Sequence, residues 1–134
     1  MLLAGDIGGT KTNLALYALD GGLSPKFQAT FRSADYPSLE AVVQEFLAET
    51  AVTVERAVFG VAGPVVDGQS TTTNMPWEIS EAALEQTLGL REAKLLNDLE
   101  ATAYGVPHLA PDDLATLNEA SPQSGTKVVI APGT

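Results

Sequence analysis

A mixed α/β fold, with antiparallel strands followed by parallel ones and helices packed on the faces of the sheet, is predicted by three observations. A glycine-rich turn near the start of the chain separates an apolar run from an alternating one. Residues 38–49 then carry apolar positions at three-and-four spacing. After that, short continuous apolar runs alternate with helical patterns as far as residue 105. The 134 residues suffice for one domain with a real core, since a domain near this size buries about two-thirds of its unfolded surface.

In chain order, residues 1–4 are apolar, and within 13–19 Leu14 and Leu16 alternate with Asn13, Ala15 and Tyr17, the period of a strand with one buried face. Residues 5–12, Gly-Asp-Ile-Gly-Gly-Thr-Lys-Thr, lie between them and predict the loop of a hairpin. Gly21 and Gly22 mark a second turn, and residues 26–31 predict a third strand with Phe27, Ala29 and Phe31 on one face. Ser38 predicts the cap of a helix running to about Glu49, its stripe formed by Leu39, Val42, Val43, Phe46 and Leu47. Residues 57–62 predict a buried strand ended by Gly63-Pro64. Residues 67–74 are polar and threonine-rich and read as a connection, and the only tryptophan, Trp77, comes after Asn74 at a turn and is expected in the core. Ser80 and Glu81 open a second helix with Ala83, Leu84, Thr87 and Leu88 as its buried stripe and Gly89 as its stop. Residues 93–96 predict a strand, 98–105 a helix and 127–131 a last strand; the proline-containing stretch 106–125 between them is a candidate domain boundary.

Composition excludes several functions. A formal charge of −10 and a pI near 4.2 argue against a nucleic-acid backbone or an anionic membrane as partner. The chain has no cysteine, so disulfides, thiol nucleophiles and cysteine-based metal sites are out. His108, the only histidine, comes after a proline and reads as a surface loop residue. No basic leader and no apolar run of about 18 residues is present, and a soluble, cytoplasmic protein is expected.

Two segments carry chemistry. In residues 5–12 the glycines permit close approach to a phosphoryl group, amides and the Thr10 and Thr12 hydroxyls are donors, and Asp6 offers an anchor for magnesium or its water shell. An alternating strand stands where a Walker loop or a dinucleotide fingerprint needs a helix, and taken by itself the segment reads more readily as a purely structural turn. Lys11 is either an exposed turn lysine or a phosphate contact. Asn97-Asp98 falls where a strand hands over to a helix, and there Asp98 either caps the helix or serves as a base toward a substrate hydroxyl. Asp112 and Asp113 come after a proline and read as a solvated helix start, and Glu100 projects to another side of its helix.

Residues 5–12, Gly-Val-Ala-Gly-Pro-Val at 60–65, Thr-Asn-Met-Pro-Trp at 73–77 and Leu-Asn-Asp-Leu-Glu-Ala-Thr-Ala-Tyr-Gly at 96–105 resemble, in order and spacing, the N-terminal part of bacterial glucokinases. Those enzymes belong to the sugar kinase, heat-shock chaperone and actin superfamily with its ribonuclease H-like core. The resemblance runs from residue 2 to 134. It implies ATP and magnesium as cofactors, with Gly5, Asp6, Ile7, Gly8, Gly9 and Thr10 as the first phosphate loop and Asp6 placing the metal through water. It implies Asp98 as catalytic base toward the 6-hydroxyl of glucose or a related hexose, with Asn97, Gly63 and Asn74 toward the sugar. Gly133 and Thr134 would begin a second phosphate loop. The implied organisation is a small domain over 1–110, then a connection and the first strand of a larger domain over 111–134. A chain of that extent is expected to be a poor or inactive kinase alone, and to self-associate through its uncovered apolar face. Competing readings on the same fold are a non-catalytic sugar-binding or regulatory module and an actin-like or chaperone-like ATPase.

Overall fold

A computed structural model describes residues 1–20, 22–72, 75–119, 121 and 124–131. Gly21, Asn74, Gly133 and Thr134, each singled out above, lie outside the described residues. The chain divides into two compact units, 1–98 and 99–134.

The first unit is built on a five-stranded sheet. Strands β1 (Leu2–Ile7), β2 (Lys11–Tyr17) and β3 (Phe27–Arg32) form an antiparallel meander, and β4 (Arg56–Val61) and β7 (Glu92–Asn97) add in parallel to the other side of β1. The order is β3-β2-β1-β4-β7, the ribonuclease H-like mixed sheet expected from the sequence. Between β4 and β7 the chain makes a small antiparallel pair, β5 (Gln69–Thr71) with β6 (Glu78–Ser80), and then α2 (Glu81–Leu88). Helix α1 (Leu39–Thr50) packs on β2, β3 and α2, and α2 packs on β7, so both cover one face of the sheet.

Strand alternation sorts the two faces. Leu3, Ile7, Leu14, Leu16, Phe59, Val61, Ala93 and Leu95 are buried under the helices together with Leu39, Val42, Val43 and Phe46 of α1. Ala29 and Phe31 pack against this core as expected, whereas Phe27, at the start of the outer strand, is 44% exposed. Trp77 is buried, and its Nε1–H donates to the Tyr36 carbonyl at 3.2 Å. Ser38 caps α1 by accepting from the Ala41 amide at 3.4 Å, and Gly89 ends α2 in the left-handed region at φ 66°.

The central row of the covered face is set by size. Gly5 lies directly opposite Leu14 on one side and Phe59 on the other. A β-carbon on Gly5 would come within 2.5 Å of Phe59 Cδ1 and 3.1 Å of Leu14 Cδ2. Glycine here makes room for a core phenylalanine, and Gly5 and Asp6 belong to β1. The predicted loop of residues 5–12 therefore shrinks to Gly8, Gly9 and Thr10, because ladder hydrogen bonds and the fit beneath Phe59 hold the first glycine in the sheet.

Two other expectations change. Residues 67–74 are not a plain connection: Asp67 and Gly68, with φ of 51° and 70°, make the two-residue turn between Val66 and Gln69 that leads into β5. Ala83 and Thr87 of α2 are exposed, leaving Leu84 as its buried residue with Leu88 partly packed. Such a short helix docks instead through acids on its flank. Leu95 N–H donates to Glu81 Oε1 at 2.9 Å and Ala93 N–H to Glu85 Oε1 at 3.0 Å, which occupies the outward amides of the last strand.

In the second unit, α3 (Asp98–Gly105) runs on from its first residue in unit 1 as predicted, with 3-10 turns after it at Val106–His108 and Pro111–Asp113. His108, Asp112 and Asp113 are exposed. Residues 127–131 form no strand: they have no ladder partner among the described residues, and Val128 and Ile130 are 78% and 83% exposed. Strand propensity alone does not hold an unpaired segment extended.

These contacts make stability testable at two positions. Gly5→Ala overpacks the central row and should cost about 1–3 kcal/mol in urea denaturation. Glu81 is partly buried, which by itself favours the protonated form, but the Leu95 amide and the Lys94 ammonium 3.0 Å away outweigh that and hold its carboxyl below the ordinary 4.5. Its stabilising contribution is thus complete above pH 4.5 and is lost as pH falls through the lower folded value. In acid titrations monitored by Trp77 fluorescence, Glu81→Gln should flatten this limb of the stability profile.

Candidate active site at the strand ends

The parallel strands β1, β4 and β7 end side by side, with Ile7 opposite Val61 and Val61 opposite Asn97. Each strand leads directly into a segment predicted to carry function: β1 into the turn Gly8-Gly9-Thr10, β4 into the turn Ala62-Gly63, and β7 into Asp98 at the start of α3. The first two are tied together because Ala62 N–H donates to the Ile7 carbonyl at 3.1 Å, one step past the ladder. The second and third are tied by Asn97, whose Nδ2 donates to the Gly63 carbonyl at 2.9 Å. Gly63 also backs onto β5, where a β-carbon would sit 3.4 Å from the Thr71 carbonyl and 3.6 Å from Ser70 Oγ. Asp98 is half-buried. Between the end of β1 and that of β7 lie two strand spacings, about 10 Å.

The glycine turn is closed by Gly8 N–H to the Lys11 carbonyl at 2.9 Å. Thr10 is exposed in the turn, and Lys11, exposed as well, is the first residue of β2. Thr12 differs from expectation: it is fully buried, and its hydroxyl lies 3.0 Å from Ser33 Oγ instead of facing outward as a donor. Strand alternation explains this, since Thr12 shares the covered face with Leu14 and Leu16. Ile7 is likewise buried, so only its backbone faces the turn region.

Sequence reasoning missed Ser33. This fully buried residue starts the 3-10 turn after β3, donates from Oγ to the Gly8 carbonyl at 3.0 Å, and donates its amide to the Thr10 carbonyl at 3.1 Å. It clamps the glycine turn from below at both ends. No local pattern signals it, because the contact joins residues 25 positions apart.

Asp6 projects from the open face of the sheet, at the edge of a depression of about 610 Å³ that Ala4, Asn13, Tyr17, Gln28 and Thr30 also line. Among the described residues no cluster of three or more His, Cys, Asp or Glu could hold a metal ion. A single exposed carboxylate beside a glycine turn fits magnesium carried mainly by water and phosphate oxygens, and does not fit an all-protein cage.

The sheet order, the glycine hairpin after β1 and the Asn-Asp step after β7 define a ribonuclease H-like domain of the sugar-kinase class. Within that class the chain belongs to the Glucokinase family, whose model matches residues 3–134. It is 40% identical over 138 residues to the glucokinase of Nostoc punctiforme, covering all of this chain and 40% of that one. Identity to the glucokinase of Yersinia enterocolitica is 38%, covering 96% of this chain and 39% of the relative. The chain thus spans about two-fifths of the length of the curated relatives it matches. Among solved structures, a glucokinase from an Antarctic psychrotroph superimposes with a TM-score of 0.76 at 32% identity, over 83% of this chain and 36% of that one. A ROK family glucokinase from Streptomyces griseus, solved with glucose and AMPPNP, gives 0.58 at 27% identity over 78% and 35%.

The clamp is testable by itself. Ser33→Ala leaves the Thr12 hydroxyl and the Gly8 carbonyl without their buried partner and should cost about 1–3 kcal/mol. Hydrogen exchange should speed up most at the Gly8 amide, with the Leu14 and Leu16 amides changing only as much as global stability does.

Proposed function

We propose that the chain is the nucleotide-facing and base-carrying part of an ATP-dependent hexose kinase acting on the 6-hydroxyl of glucose. The observation that carries this reading is the Asn97–Gly63 hydrogen bond, which draws together the strand end preceding Asp98 and the turn beside the glycine hairpin. Membership of the Glucokinase family and the glucose and AMPPNP bound by the Streptomyces relative support it.

In this reading the backbone of the turn at Gly8, Gly9 and Thr10 and the Thr10 hydroxyl hold the phosphates, with Gly5 and Ile7 setting the strand that leads into it, and Asp6 would orient the hydrated metal. Asp98 accepts the proton of the sugar 6-hydroxyl as that oxygen attacks the γ-phosphorus, and the bond to the departing ADP oxygen breaks. Magnesium, when bound, spreads the phosphate charge. Asn97 and Gly63 position the sugar, and Asn74, Gly133 and Thr134 complete the contacts that the family resemblance implies. A separation of about 10 Å between the hairpin and the end of β7 accommodates a phosphoryl group lying between nucleotide and sugar. The extended organisation has a small domain over 1–110 and the opening of a larger one over 111–134. Because phosphoryl transfer depends on closed positioning of both substrates, the chain alone should turn over slowly. Hexose is the partner the site fits, in a soluble, cytoplasmic setting with the chain self-associated.

Fusing the chain to the remaining length of the Nostoc punctiforme glucokinase should give glucose-dependent ADP formation from Mg-ATP. Asp98→Asn in that fusion should lower kcat by about 10²–10⁴-fold, the usual worth of a general base. Turnover unchanged by Asp98→Asn would sink the assignment. ADP formation that needs no sugar would point to an ATPase.

A further inference from the structure

We infer that Asn13, held in orientation by Thr30, is a positioning residue for the Asp6 carboxylate and sets how tightly the site takes magnesium with the nucleotide. The inference rests on the reading of Asp6 as the metal's anchor. Asp6, Asn13 and Thr30 are directly opposite one another on β1, β2 and β3, so their side chains stand in one row on the open face of the sheet. Thr30 Oγ1–H donates to Asn13 Oδ1 at 2.8 Å, and Asn13 Nδ2–H donates to Asp6 Oδ2 at 3.1 Å. The next position in the row beyond Asp6 is Gly60, which adds no side chain.

The direction of the relay matters. An asparagine amide can present either its oxygen or its NH2 to a neighbour. Thr30 donating to Oδ1 turns the NH2 toward Asp6, where it binds one carboxylate oxygen and leaves the negative charge intact. A cationic neighbour in the place of Asn13 would neutralise that charge, and an acidic one would repel it. The neutral donor fixes the carboxylate rotamer without competing with a cation. All three residues are exposed, so their bonds add little to fold stability; an orienting role accounts for the row better than a packing one.

Calorimetric titration of this chain with ATP over a range of magnesium concentrations tests it. Asn13→Ala should raise the magnesium concentration for half-maximal binding about tenfold, the usual cost of losing an outer-shell partner. Thr30→Val should shift it in the same direction by less, and neither change should move metal-free ATP binding or the unfolding midpoint read from Trp77 fluorescence. Asp6→Asn separates the two claims. If Asp6→Asn abolishes the magnesium dependence while Asn13→Ala leaves it unchanged, the positioning role is wrong and the anchor stands. If Asp6→Asn leaves the dependence intact, or the unaltered chain shows none, both fail. Equal weakening of ATP binding with and without magnesium in Asn13→Ala would also overturn the inference.

Discussion

Phe59 lies over Gly5, and the arrangement of the strand ends depends on that fit. The two residues are partners in the parallel ladder that joins β4 to β1, and the ring fills the space a side chain at position 5 would take. With the ring there, β4 sits in register beside β1, β7 takes its register from β4, and the three carboxyl ends come out level. The next residue along β1 points the other way, as strand geometry requires. Core packing on one face thus delivers Asp6 to the opposite face at a fixed height, two residues before the turn. A slip of one residue would exchange the two faces and bury the acid.

Support for the turn comes from outside the strands it connects. Ser33 reaches it from the end of β3 with a hydroxyl and an amide, and the buried Thr12 hydroxyl completes the group. In an apolar interior such hydrogen bonds are costly to leave unmade, so the turn has few alternative shapes. The serine's hydroxyl bond to Gly8 and amide bond to Thr10 hold the turn at both ends.

Legibility in the sequence divides along physical lines. Period-two spacing located β2 and β3, short apolar runs located β1, β4 and β7, and three-and-four spacing located the first helix, because burial on one face or on both leaves its own mark. Asn97-Asp98 and Gly63 were readable as strand-end residues, and the hydrogen bond between Asn97 and Gly63 is what adjacent ends allow. The extent of β1 was misjudged because a glycine chosen for packing looks the same as a glycine chosen for a turn. The turn at Asp67-Gly68 had a local signal, an Asp-Gly pair flanked by Val65-Val66 and Gln69-Ser70-Thr71, which the polar composition around it hid. Ser33 and the Thr30–Asn13–Asp6 row carried none, since register between distant strands decides both. Residues 127–131 have the composition of a strand, but a strand also needs a neighbour.

The carboxylates of Glu81 and Glu85 occupy the outward amides of Ala93 and Leu95 at the rim of the sheet. An outer strand with unsatisfied donors is a template on which another chain can extend the sheet. Here an incoming strand would have to displace two acidic acceptors, one of them paired with Lys94, and would bring its own carbonyls against their charge. Extension of the sheet past β7 would therefore have to break both of these hydrogen bonds first.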